Sequence, residues 1–66
     1  MIGSKTLRRL GFYSLTEEWC KECKDGINLF YVQETNVLTA FKYDSDEPEF
    51  EISDINEILE KIENYL

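Results

Sequence analysis

Cys20 and Cys23, in the run EEWCKECKDG, are the residues whose type and spacing suggest chemistry. Two thiols three positions apart can hold a metal or exchange electrons. A structural zinc site needs four ligands, and this chain offers two cysteines and no histidine. Carboxylates seldom complete such sites, so a four-cysteine centre would need a second copy across a two-fold axis. On a strand, residues three apart point to opposite faces. Only a helix or a knuckle-like turn would bring the sulfurs together. A redox pair needs its thiolate stabilised at a helix N-terminus, whereas Glu17, Glu18 and Glu22 surround this one and oppose ionisation. Two ordinary, half-buried thiols are expected. A small metal-binding protein using Cys20 and Cys23 stands as the alternative.

The segment around these cysteines resembles half of a zinc ribbon, but only over a short run. No other motif carries chemistry. Without histidine there is no imidazole base for a serine or cysteine triad. The glycines at 3, 11 and 26 are too scattered for a phosphate loop. Asp44, Asp46 and Glu47 suggest a hard-cation loop, yet the twelve-residue frame, central Gly and terminal Glu of an EF-hand are missing. A chain this small leaves little room for a pocket of ~300 Å3 or more. The expectation is a protein that is not an enzyme, with no catalytic, cofactor-binding or metal residue and no cofactor.

Sixty-six residues make one domain, 1–66. Such a core rarely supplies more than about 3–5 kcal/mol of net stability. Nine aromatic residues argue against disorder. The net charge is −7 and unevenly spread: residues 1–43 carry +1 and residues 44–66 carry −8. With no basic stripe to displace counterions from a phosphate backbone, nucleic acid and anionic membranes are not expected partners. Lys5, Arg8 and Arg9 are read as one solvated helix face. No apolar run reaches membrane-spanning length, and "MIGSKTLRRL" lacks a signal-peptide core. These features point to the cytoplasm, with reduced thiols.

The elements follow from local signals. Ser4 is a candidate cap and Gly11 a left-handed stop for a short first helix. Residues 15–24 read two ways. As a helix, Ser14 and Glu17 form a capping box and Leu15, Trp19 and Cys23 share a face. As a strand, Asp25-Gly26 is a two-residue hairpin turn that sets Trp19 opposite Val32 and Cys20 opposite Tyr31. The balance falls to the hairpin. "INLFYVQ" and "VLTAFKY" form strands joined through Glu34-Thr35-Asn36, with Asn36 left-handed. That register groups Ile27, Leu29 and Tyr31 with Thr39, Phe41 and Tyr43, and Phe30 and Val32 with Leu38 and Ala40. "FEI" at 50–52 alternates like a strand. Asp54 and Glu57 then open an amphipathic helix striped by Ile55, Ile58, Leu59, Ile62 and Leu66, with a favourable Glu57–Lys61 pair.

The expected class is α+β: a short N-terminal helix, an antiparallel meander of three or four strands, and a C-terminal helix on one sheet face. A short basic helix ending "LGF", a meander and an acidic closing helix together resemble, loosely, many uncharacterised small proteins of bacterial genomes and mobile elements. That group implies no shared activity. The function read from the residues is a non-catalytic interaction or accessory module, with itself or another protein as partner. Its contact surface is either the second sheet face (Phe30, Val32, Leu38 and Ala40, with Trp19) or the acidic segment 44–63. An acidic mimic of DNA that blocks a basic partner is a further alternative.

Overall fold

A computed structural model describes residues 1–65. Among them the order is α1 (Ser4–Arg9), β1 (Tyr13–Leu15), β2 (Glu18–Glu22), a 3-10 turn (Lys24–Gly26), β3 (Ile27–Val32), β4 (Val37–Lys42), β5 (Pro48–Ile52) and α2 (Ile55–Asn64). The strands form one antiparallel sheet in chain order, β1-β2-β3-β4-β5. The α+β class stands, but the sheet has five strands rather than three or four. The added strand is β1, which reaches β2 through a turn with Thr16 at φ 58°. A β-branched residue seldom enters the left-handed region, so nothing local announces that turn.

The first helix is capped by backbone. Its N-cap is Gly3, and Ser4 is already helical. At the other end Gly11 sits at φ 96°. Phe12 N donates to Leu7 O at 2.9 Å and Gly11 N to Arg8 O at 3.0 Å, the paired bonds of a Schellman motif. Phe12 and Leu7 are both buried there. The last helix follows its signals closely. The Asp54 carboxylate accepts from Asn56 N at 2.9 Å and Glu57 N at 3.2 Å. Ile58 and Ile62 are fully buried, Ile55 is half-buried and Leu59 is 38% exposed. Leu66, the expected end of the stripe, lies outside the described residues.

Residues 18–22 are strand, but both inner hairpins differ from expectation by one residue. Asp25 and Gly26 do take positive φ, 60° and 73°. The loop nevertheless holds three residues, because Cys23 N donates to Ile27 O at 2.7 Å. Trp19 therefore lies opposite Tyr31 and Cys20 opposite Phe30. At the next hairpin Val32 pairs with Val37, leaving the four residues 33–36 as the loop, with Asn36 left-handed at φ 54°.

Leu38 then faces Tyr31, and Ala40 faces Leu29. A one-residue slip moves every side chain of a strand to the other face. Ile27, Leu29 and Tyr31 consequently share a face with Leu38 and Ala40, not with Thr39, Phe41 and Tyr43. The physical cause is Gln33. Its amide accepts from Trp19 Nε1 at 3.1 Å and donates to Ile2 O at 3.0 Å and Ser4 Oγ at 3.2 Å. A side chain committed to the N-terminal segment holds Gln33 in the loop, out of the ladder.

One core results. Leu7 of α1 and Ile58 and Ile62 of α2 cluster with Trp19, Ile27, Leu29, Tyr31, Leu38 and Ala40. Polar closures surround it. Ile2 N donates to the Tyr31 hydroxyl at 2.9 Å, that hydroxyl donates to Asn36 Oδ1, and Asn36 Nδ2 donates to Ser53 O at 3.0 Å. Among the described residues no buried side-chain polar atom lacks a partner.

Candidate functional site

The alternation that buries one side of the sheet fixes the other. β3 alternates buried and half-buried residues from Ile27 to Val32, and β4 does so in opposite phase. Phe30, Val32, Val37, Thr39 and Phe41 fall on the second face, all half-buried. Phe30 and Phe41 meet edge to face, ring centres 5.8 Å apart at 73°, the geometry that aromatic quadrupoles favour. At the β1 side of this face Tyr13 and Leu15 are 47% and 52% exposed. Beyond β4, Tyr43 is 76% exposed.

Two shallow clefts run over this surface, both larger than the ~300 Å3 for which so short a chain is expected to leave little room. One, of about 420 Å3, is lined by Tyr13, Phe30 and Tyr43 with Glu22 and both cysteines among its walls. The other, of about 610 Å3, runs over Phe30, Val32, Thr39 and Phe41 and is rimmed by Glu18, Asp44, Asp46 and Glu51. Lys42 also borders it, but its ammonium lies 3.7 Å from Glu49. That exposed pair adds little stability, yet it offsets the one cation at this rim. The face is thus apolar at its centre and anionic at its edge.

The sequence-expected surface is found only in part. Phe30 and Val32 lie on the open face. Leu38, Ala40 and Trp19 do not: they are buried in the core, because the register differs by one residue. Asp44, Asp46 and Glu51 of the acidic segment reach the open face, whereas Glu57, Glu60 and Glu63 sit on exposed positions of α2. Phe41, Tyr13 and Tyr43 were missing from the expected surface. Phe41 and Tyr43 follow from the four-residue loop 33–36, which puts Phe41 on the side of Phe30, and Tyr13 from β1; neither is announced locally in the sequence.

The cysteines are free thiols, Cys20 buried and Cys23 half-buried. Cys20 lies on the open face between its strand neighbours Tyr13 and Phe30. Cys23 packs against the core cluster, and its Sγ–H points to Lys21 O at 3.9 Å. Burial raises both thiols above their ordinary pKa; Glu18 adds to this at Cys20, and Lys21 tempers it at Cys23. Among the described residues no group of three or more His, Cys, Asp or Glu is gathered to hold a metal. Both thiols are expected to react slowly. Alkylation by iodoacetamide at pH 8 should run at least about tenfold slower in native protein than in urea, as followed by mass spectrometry. Equal rates would contradict the burial described for Cys20.

Partial loss of solvent at the half-exposed Tyr13 phenol, together with the Glu22 carboxylate that accepts from its hydroxyl at 3.5 Å, raises its pKa. No helix among the described residues is long and apolar enough to cross a membrane. Comparison with family models, with curated proteins and with solved structures yields no match for this chain.

Proposed function

We propose that this is a non-catalytic protein-interaction module whose contact surface is the open sheet face centred on Phe30 and Phe41. The observation that carries this reading is the one-sided core. Leu7 of α1 and Ile58 and Ile62 of α2 cluster with the residues of one sheet face, while residues of the other line the two clefts. Contiguous apolar surface rimmed by polar groups marks an interaction site. The half-buried rings at its centre are phenylalanines, and aromatic side chains contribute heavily to interface energetics.

The partner in this reading is a different, basic protein rather than a second copy. A two-fold pairing through this face would set one anionic rim, Glu18, Asp44, Asp46 and Glu51, against another. Opposed like charges destabilise an interface, and complementary ones steer association. The anionic rim therefore selects a partner whose apolar anchors are flanked by Lys or Arg. A soluble module of this kind would work in the cytoplasm.

Paired affinity capture from the native host, with wild-type and Phe41→Glu protein as baits, tests this. Phe41 packs edge to face on Phe30, so the variant should lose about 1 kcal/mol, a fall of roughly 4–8 °C in melting temperature, and still be folded at the temperature of the capture. The expected result is a species held by wild-type bait, lost with Phe41→Glu and weakened as salt rises. A capture profile identical for the two baits would overturn the assignment of this face. Sedimentation showing a dimer that Phe41→Glu dissolves would replace the basic partner with a second copy.

A further inference from the structure

Resting on the reading of this face as a docking surface, we infer that its Tyr13–Phe30–Tyr43 cleft is a receptor for one organic cation, the ammonium or guanidinium head of a partner's Lys or Arg side chain. The three residues come from three separate parts of the meander. Tyr13 lies opposite Cys20, and Cys20 opposite Phe30, so β1, β2 and β3 set the first two on one face, about 10 Å apart with Cys20 between them. Tyr43 is brought up from the end of β4, where its backbone N donates to Gly26 O at 2.7 Å. All three border a cleft of about 420 Å3, ample for one side-chain head.

Aromatic faces are negative at their centres and attract weakly hydrated cations within about 6 Å. This chain already uses that interaction twice on its own cations, Arg8 over Trp19 and Lys61 over Phe50, each at 5.2 Å. The open cleft has rings and a carboxylate but no ammonium of its own in place. Glu22 lines it, within 3.5 Å of the Tyr13 hydroxyl. Lys21 borders it too, but its Nζ is turned to Gly11, where an added Cβ would collide with it. Charge complementarity therefore favours a cationic occupant over a neutral apolar one.

The test is a titration of 15N-labelled protein, followed by amide and aromatic shifts, with Nα-acetyl-lysine methylamide and its arginine counterpart. Nα-acetyl-norleucine methylamide serves as the neutral control of similar shape, and choline as a free cation, all at constant ionic strength. The lysine and arginine probes should shift Cys20, Glu22 and Tyr43 with dissociation constants on the order of 10 mM. Glu22→Gln and Tyr43→Ala, both exposed positions, should each weaken them about fivefold. Equal shifts with norleucine would make the cleft merely apolar and overturn the inference. Choline alone binding would overturn the side-chain source, and no saturable shift would overturn the site. None of these failures bears on Phe41, in the other cleft, whose capture test stands separately.

Discussion

Replacing Ile58 by alanine is expected to leave much of the protein unfolded at room temperature. Ile58 has no exposed surface and lies in the cluster that joins α2 to the sheet. Truncating a buried isoleucine costs about 2–5 kcal/mol, because the cavity adds to the lost transfer energy. A domain of this size commands only about 3–5 kcal/mol in total, so one side chain in the centre of the core decides whether the chain folds. Leu59 is the internal control. It sits on the same helix but is 38% exposed, and Leu59→Ala should cost less than about 1 kcal/mol. Urea titration by circular dichroism reads both. Comparable losses at the two positions would mean that α2 does not dock through Ile58.

The second large effect is expected at Tyr31. Its ring is fully buried, and its hydroxyl joins Ile2 N to Asn36, a second tie between the N-terminal segment and the 33–36 loop beside the Gln33 bonds to Ile2 O and Ser4 Oγ. Tyr31→Phe keeps the ring and removes the hydroxyl. Ile2 N then loses its acceptor, and Asn36 Oδ1 loses its donor. Stranding polar groups in this way costs about 1–3 kcal/mol. Asn36 in turn donates to Ser53 O, just before α2 begins, so the loss should propagate to the start of that helix. A cycle with Asn36→Gly isolates the coupling, since glycine accepts the left-handed backbone at that position. Non-additivity of at least about 0.5 kcal/mol in urea denaturation is expected. Strict additivity would show that the two side chains act independently.

Much of the architecture is written locally. Asp54 followed by isoleucines at helical spacing announces α2. Gly11 announces the end of α1, and runs of β-formers announce β3 and β4. What escapes local reading is register, and with it the identity of each face. The Glu34-Thr35-Asn36 signal names a left-handed Asn36 correctly, yet it does not say that Gln33 is held in the loop by Trp19, Ile2 and Ser4. Those partners lie at least fourteen positions away. The Asp25-Gly26 signal likewise gives the two positive φ values but not the third loop residue, Lys24. Because side chains alternate, each single-residue difference moves buried residues to the wrong face. The candidate site inherits this: Phe30 and Val32 could be read from sequence, while Phe41 could not. Tyr13 depended on a strand entered through Thr16 in a conformation its side chain disfavours.

The cysteines give the contrasting lesson. Their spacing suggests a paired site; the fold puts both in the wall of one cleft, Cys20 between Tyr13 and Phe30 and Cys23 against the core, but among the described residues gathers no third ligand with them. The proposed contact surface rests on the aromatic residues of the open face and not on the thiols.

The most direct measurement is paramagnetic relaxation of side-chain protons by a soluble, neutral gadolinium chelate, recorded on dilute protein. Strong broadening is expected at Phe41, Val32 and Val37, with Leu38, Ala40, Ile58 and Ile62 protected. Broadening of Leu38 and Ala40 together with protection of Phe30 and Phe41 would show the opposite face to be open and contradict this arrangement.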